Sequence, residues 1–184
     1  MLSLAAIQRD VQSVAEAISA ALGVDVEITD SDLIRVAGTG EFAGKLGSSL
    51  AGQGYVHAHV LCTQEPIVIE EPGHHKLCKT CVRVRGCYAT SELCCPIVHR
   101  GHVAGVMGLI GRTVAQRRRL LDNARANLAF LERMSDLLSA KVASVEAMMH
   151  DSMRRRQLEA VIGAFDEGVV VVDEYGMVTQ VNRY

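Results

Sequence analysis

Five cysteines fall within eighteen residues near the middle of this chain, and a sixth lies a short distance upstream. In chain order they are Cys62, Cys78, Cys81, Cys87, Cys94 and Cys95. Thiolates are soft ligands that select zinc, copper(I) or iron–sulfur clusters. In a reducing compartment, cysteines grouped in this way indicate a metal, cluster or redox site rather than structural disulfides.

The pair Cys78 and Cys81 forms the centre of this predicted site. Two residues between the cysteines let both sulfurs face one metal, and the nearby Lys76, Lys79, Arg83 and Arg85 favour thiolate over thiol. A tetrahedral zinc ion or a four-iron cluster needs four such ligands. We therefore predict a metal site formed by Cys78, Cys81, Cys87 and Cys95, with Cys94 and Cys62 as alternatives for the fourth ligand.

The cofactor itself stays open at this point. Iron–sulfur is favoured slightly over zinc, because a sensor gains from a group that oxygen can destroy. A thiol–disulfide switch without metal and reduced cysteines with no ligand are the other interpretations, since free cysteine is often a small core residue. Neighbouring residues on a strand point to opposite faces, so only one of Cys94 and Cys95 is expected to reach the site. His74 and His75 could also supply a ligand, although polar loop residues are the simpler interpretation.

Composition limits the kind of protein that holds this site. Apolar residues make up 49% of the 184, the net charge is about −2, and there is no tryptophan. The basic runs at 117–119 and 154–156 lack the interleaved aromatics of a nucleic-acid surface, so we interpret them as solvated helix faces. The N-terminus lacks a signal peptide, and no apolar run reaches the length of a membrane span. These features predict a cytoplasmic protein.

The cysteines are expected to lie between elements of a mixed domain. Apolar spacing predicts a helix over 3–22, followed by a strand hairpin over 24–38. A glycine-rich loop, a short helix over 55–62 and a strand over 66–69 precede the cysteines, and strands over 96–99 and 102–110 follow them. The result is a small sheet with flanking helices and a cysteine-rich insertion.

A heptad pattern begins at Val114 and predicts a long helix. Apolar residues recur at the two seam positions for about four heptads, with Ser135 as a polar layer, and neither glycine nor proline occurs between Arg112 and Gly163. Such a seam favours a two-stranded coiled coil, so we predict a homodimer through helix 114–150. The register fails near Ser152, where a new apolar face that includes Phe165 begins. A hairpin over 169–181 follows and indicates the opening of another module.

This order of elements resembles a GAF-like sensory domain, as do the segments EAISAALGVDVEITDSDLIRVAGTGEF and EPIVIEEPGHHKLCKTC. The final segment, LEAVIGAFDEGVVVVDEYGMVTQVNRY, looks like the first helix and hairpin of a PAS domain. Together they are similar to the N-terminal sensory region of sigma-54-dependent (NtrC-like) transcriptional regulators. The resemblance implies an α+β fold, with an antiparallel sheet flanked by helices and a long C-terminal coiled-coil helix. The implied divisions are a GAF-like domain over 1–112 with an insertion at 74–95, a signalling helix over 113–156, and a truncated PAS domain over 157–184.

The resemblance also implies a function. The chain would detect a redox, metal or small-molecule signal and transmit it through a dimeric helix, while DNA, ATP and sigma-54 RNA polymerase would be engaged only by domains outside this chain. No nucleophile elbow, metalloprotease motif or paired carboxylates indicate an enzyme. Three alternatives stay open: a purely structural zinc knot beside a small-ligand pocket, a thiol redox enzyme using Cys78 and Cys81, and a sensory module of another signalling protein such as a histidine kinase. The cysteine spacing alone is also similar to that of the WhiB-like iron–sulfur regulators.

Overall fold

The computed structural model of the chain describes residues 3–164 and 167–182. The chain divides into two compact units, Met1–Ala143 and Ser144–Tyr184. No helix within the described ranges is both long and apolar enough to cross a bilayer.

A five-stranded antiparallel sheet forms the centre of the first unit. Its spatial order is β2-β1-β5-β4-β3. The strands are β1 (Asp25–Asp30), β2 (Arg35–Gly38), β3 (Ile67–Ile69), β4 (Ser91–His99) and β5 (His102–Gly111). Both faces of the central strands are buried, since β5 has seven consecutive buried residues over 105–111. The predicted α+β fold with an antiparallel sheet and flanking helices is confirmed.

The first helix forms where the apolar spacing predicts it. A 3₁₀ turn at Leu4–Ile7 leads into α1 (Gln8–Leu22), which buries Val11, Ala15 and Ile18. Gly23 ends the helix with a left-handed backbone at φ 64°, a conformation that glycine adopts without a steric cost. The predicted short helix is α2 (Tyr55–Thr63).

Strand β4 begins earlier than the sequence predicts. It starts at Ser91 rather than Pro96, so Cys94 and Cys95 lie on the central sheet and not in the inserted loop. Buried cysteine behaves as a small apolar residue. Because the sequence pattern places Cys94 and Cys95 in the cysteine-rich insertion, it does not show that they continue an apolar strand. The loop between β3 and β4 keeps the other three clustered cysteines and contains two short 3₁₀ turns, Lys76–Cys78 and Val84–Gly86.

The long helix is divided near its start. Helix α3 (Val114–Leu121) begins with a capping box between Thr113 and Gln116, and α4 (Ala124–Gly163) follows after a two-residue turn. The Asn127 side chain donates hydrogen bonds to the carbonyls of Arg119 and Leu120, at 3.2 and 3.0 Å. These bonds satisfy carbonyls that lose their helical partners at the end of α3. The prediction of one unbroken helix from residue 114 is therefore wrong at this turn.

The first half of the heptad seam packs within its own chain. Leu131, Ser135, Leu138 and Val142 are all buried. Strand β4 has a bulge between Ile97 and Val98, and at this bulge the Ser135 hydroxyl donates to the Pro96 carbonyl at 3.0 Å and accepts from the Val98 amide at 3.4 Å. An apolar seam fits any complementary apolar surface, so the pattern identified a buried helix face without identifying its partner.

The second unit contains the remainder of α4 and a separate hairpin. Strands β6 (Val170–Val172) and β7 (Val178–Val181) pair antiparallel, as the sequence predicts. The Asp173 carboxylate accepts hydrogen bonds from the amides of Tyr175 and Met177 at 2.9 Å and so stabilises the turn. Phe165, which the sequence assigns to a new apolar face, lies outside the described residues.

Candidate functional site

A cavity of about 70 Å³ lies in the first unit, lined by residues of the sheet, of α2 and of the cysteine loop. This volume corresponds to roughly five water molecules, at about 10–15 Å³ for each. Cys78, Cys81 and Cys87 all line it. Three of the predicted metal ligands therefore meet at one cavity, although they are spread over ten residues of an irregular loop.

The loop positions its sulfurs through local turns. The amide of Cys81 bonds the carbonyl of Cys78 at 3.0 Å, which closes the turn between the two cysteines. The Cys81 sulfur accepts a hydrogen bond from the Arg83 amide at 3.4 Å and donates to the Gln53 carbonyl at 3.9 Å. Burial raises the pKa of the Cys87 thiol, and the charges of Glu92, Cys78 and Cys81 add to this rise. The three thiols share the lining of one cavity, but among the described residues their sulfurs do not all lie within 4.8 Å of one another.

The three candidates for the fourth ligand lie in different surroundings. Cys62 is exposed on α2, whereas Cys94 and Cys95 are buried on β4. Cys94 packs in the same apolar cluster as Cys78. Burial raises the pKa of Cys95 to about 12, helped by the carboxylates of Glu132 and Asp136 on α4, so Cys95 faces that helix. Adjacent strand residues point to opposite faces, and the predicted fourth ligand Cys95 thus lies on the face away from Cys94. The ligand set as a whole stays a prediction.

An ion pair between neighbouring strands adds charge to the cavity. Glu27 on β1 and Arg35 on β2 both line it, and the Arg35 guanidinium bonds the Glu27 carboxylate while both side chains are buried. Arg35 also donates to the Ser48 hydroxyl at 2.7 Å. Sequence reasoning missed this pair, because polar residues that alternate along a hairpin are typical of a solvent-facing surface. Here the loop and α2 cover that face of the sheet.

A second polar group surrounds His57, to which the sequence assigned no role. His57 is 1% exposed, and its Nδ1 bonds the Thr29 hydroxyl at 3.0 Å. Its Nε2 lies 3.8 Å from Glu92 Oε1 and has no hydrogen-bond partner among the described residues. The Cys94 thiol donates to the same Glu92 oxygen at 3.3 Å. Within the described part of the chain, His57, Glu92 and Cys94 are the group of ligand-type side chains whose atoms all lie within 4.8 Å of one another.

The charge states of this group follow from its burial. Burial lowers the pKa of His57, so the imidazole is neutral at physiological pH. Burial and then the charge of Glu27 raise the pKa of Glu92 to about 7. Burial also raises the pKa of Cys94 well above its ordinary value. All three pKa shifts have burial as their largest cause, so the surroundings of these side chains disfavour charge that has no partner.

Comparison with known proteins places the chain in a family. The GAF domain model matches residues 5–142. The Escherichia coli (strain K12) protein UacR, provisionally named a uric acid sigma-54-dependent transcriptional regulator, is 30% identical over 177 residues. That alignment covers 96% of this chain and 30% of UacR, so the chain spans less than a third of this relative's length.

Solved structures show the same fold at low sequence identity. The A. aeolicus nlh2 GAF domain in an inactive state matches with a TM-score of 0.55 and 16% identity, over 76% of this chain and 85% of that one. The free methionine-R-sulfoxide reductase of Neisseria meningitidis, solved with its substrate, matches with a TM-score of 0.59 and 18% identity, over 77% of this chain and 80% of that one. The same fold therefore occurs in a GAF domain and in a reductase. With its five-stranded sheet, flanking helices and the match over residues 5–142, this chain belongs to the GAF domain family.

Proposed function

We propose that this chain is the signal-sensing region of a cytoplasmic sigma-54-dependent transcription regulator and that the cavity of its GAF domain detects the signal. The observation that carries the proposal is the convergence of three loop thiols on a cavity whose floor holds a buried ion pair. The similarity to UacR over nearly the whole chain supports the regulator assignment. Engagement of DNA, ATP and sigma-54 RNA polymerase would belong to domains outside this chain.

In this proposal Cys78, Cys81 and Cys87 hold an iron–sulfur cluster or a zinc ion. An iron–sulfur cluster would supply sensitivity to oxygen or redox state, and zinc would supply a structural knot. The fourth ligand stays open between Cys95, Cys94 and Cys62. The turn that joins Cys78 to Cys81 and the Arg83 amide directed at sulfur support ligation by this loop.

Strand β4 offers a physical route from the cavity to α4. Glu92 on this strand lines the cavity, while Pro96 and Val98 further along it bond Ser135 of α4. His99 at the end of the strand lies 3.1 Å from the Ser139 hydroxyl through its Nδ1. A change that moves the start of β4 would therefore bias the packing of α4. Two states of this contact would form the bistable element that a sensor requires.

Metal analysis of anaerobically purified protein tests the cysteine part of the proposal. Iron, acid-labile sulfide and zinc are measured in the full chain and in the Cys78→Ser/Cys81→Ser/Cys87→Ser variant, together with a visible spectrum. Stoichiometric iron and sulfide that the triple variant lacks would support an iron–sulfur sensor. Stoichiometric zinc that air does not change would contradict it in favour of a structural knot.

A small-molecule signal is the second candidate. The relative UacR carries uric acid in its name, and the buried Glu27–Arg35 pair offers a hydrogen-bond acceptor and a donor at the cavity floor. A small polar heterocycle could use both groups. Calorimetric titration of urate into the chain and into Arg35→Met tests this candidate. Binding that is lost in the variant would support it, and heats equal to dilution in both proteins would contradict it.

A further inference from the structure

We propose that His57, Glu92 and Cys94 form a mononuclear binding site for a divalent transition metal such as zinc, separate from the loop cysteines. This assignment would leave Cys95 and Cys62 as the candidates for the fourth ligand of the loop. Two of the three side chains, His57 and Glu92, line the cavity. One ligand comes from α2 and two come from β4, so all three lie on regular secondary structure. The proposal does not rest on the regulatory role of the chain.

Two of the three distances between ligand atoms match those of a tetrahedral metal, and all three atoms lie within 4.8 Å of one another. His57 Nε2 and Glu92 Oε1 are 3.8 Å apart, and Glu92 Oε1 and Cys94 Sγ are 3.3 Å apart. Metal–ligand distances of roughly 2.0–2.3 Å place tetrahedral zinc ligands about 3.3–3.8 Å from one another. Imidazole, carboxylate and thiolate are all ligands of zinc. The three side chains would thus hold an ion after at most a small approach of His57 and Cys94.

The Thr29 hydroxyl can orient His57 as a ligand. Its Nδ1 lies 3.0 Å from the buried Thr29 hydroxyl. In the tautomer with the proton on Nδ1, this nitrogen donates to Thr29, and the Nε2 lone pair is available to a metal. Metal-binding histidines commonly have their second nitrogen fixed in this way. A buried nitrogen without a hydrogen bond costs roughly 1–3 kcal/mol. A metal ion bound to Nε2 would remove this cost.

Gly108 leaves the space that the ion needs. On β5 it pairs with Cys94 of β4. A Cβ atom at this position would lie 2.9 Å from His57 Nε2 and 3.4 Å from Cys94 Sγ. Any larger residue would therefore fill the gap between the two ligands. The glycine keeps the gap open in the middle of a strand, where its lack of a side chain otherwise weakens packing.

A bound cation would also compensate the largely buried Glu92 carboxylate. Glu27 and Glu92 both lie 3.8 Å from His57 Nε2, and the guanidinium of Arg35 pairs with Glu27. Glu27 is thus already compensated, while Glu92 accepts only from the Cys94 thiol among its described bonds. Three protein ligands leave a fourth position of a tetrahedral ion, as in zinc sites that bind an exchangeable group. That position would face the cavity, where a signal molecule with a nitrogen, oxygen or sulfur donor could enter.

Cobalt binding to the full chain tests the site without interference from the loop. The metal-free, reduced Cys78→Ser/Cys81→Ser/Cys87→Ser variant is titrated with Co²⁺. We expect one equivalent to bind, with visible bands of tetrahedral cobalt and a thiolate-to-cobalt charge-transfer absorption, and Zn²⁺ to displace it. Adding Cys94→Ser should remove the charge-transfer absorption, whereas adding Cys95→Ser should leave it. His57→Ala should weaken the affinity by at least about a hundredfold.

A variant that keeps all three ligands but fills the space for the ion tests the site without removing a ligand. Gly108→Ala in the same background should abolish cobalt binding, while Gly44→Ala, whose added Cβ meets no atom within 4 Å, should not. Circular dichroism confirms that each variant is folded. Absence of one-equivalent binding in the triple loop variant would overturn the proposal. A charge-transfer absorption that survives Cys94→Ser would overturn it equally. Neither result would bear on whether the loop cysteines hold a cluster, because those cysteines are absent from the background.

Discussion

Glu27 and Arg35 illustrate how a few buried charges shape the cavity. Removing one partner of a buried ion pair leaves an uncompensated charge and costs about 3–5 kcal/mol. Arg35→Met should therefore lower the free energy of unfolding by that amount, measured by urea denaturation. The double variant Glu27→Gln/Arg35→Met should recover part of the loss. Equal stability of Arg35→Met and the unmodified chain would show that the pair is solvated.

The cysteines should differ widely in reactivity. Cys62 is exposed, whereas burial raises the pKa of Cys94 and of Cys95, the latter to about 12. For Cys95 this rise alone reduces the reactive thiolate at neutral pH by roughly a thousandfold. Iodoacetamide labelling of the metal-free chain, followed by mass spectrometry, should modify Cys62 first and Cys94 and Cys95 only after unfolding. Early labelling of Cys95 would contradict its placement against α4.

At the residue scale, the sequence identified the thiols but not their partners. Cys78, Cys81 and Cys87 could be grouped because they are close along the chain. His57, Glu92, Glu27 and Arg35 come from four separate elements, and only the fold brings them together. In the sequence, these four residues are recognisable only as polar residues within strands and a short helix. Such residues indicate a buried site only once both faces of the sheet are known to be covered.

Helix α4 shows the same limit at the scale of an element. The heptad pattern correctly identified Leu131, Ser135, Leu138 and Val142 as one face of a helix, and that face packs within the first unit. A helix pattern cannot predict the bulge in β4, nor the backbone carbonyl and amide at the bulge that bond Ser135. The turn before α4 was missed because it contains neither glycine nor proline.

Substitution of two neighbouring leucines of α4 distinguishes packing within the chain from pairing between chains. Leu138 is 1% exposed and Leu137 is 54% exposed. Leu138→Ala should lower the free energy of unfolding by about 2–5 kcal/mol, and Leu137→Ala by only about 0.5 kcal/mol. Urea denaturation at several protein concentrations measures both. A cost for Leu138→Ala that disappears on dilution would mean that the seam packs against a second chain.

For the whole molecule, we propose that pairing through helix 114–150 uses the portion of α4 beyond Val142. Met149 continues the heptad seam and is 54% exposed, while its neighbour Met148 lies off the seam and is 70% exposed. Met149→Lys should shift the mass measured by sedimentation equilibrium from dimer towards monomer, because it places a charge in the seam. Met148→Lys serves as the matched control and should leave the dimer intact. A monomeric unmodified chain, or an equal effect of both substitutions, would contradict pairing through this seam.

The central claim is that the cysteine loop detects a change and that α4 responds to it through β4. Hydrogen exchange measured by mass spectrometry, on anaerobically purified full chain before and after exposure to air, tests both parts together. We predict altered protection in the loop over 74–90 and in α4 over 131–142, and no change in the Cys78→Ser/Cys81→Ser/Cys87→Ser variant. Unchanged protection of α4 while the loop responds, or an equal response in the triple variant, would contradict the account.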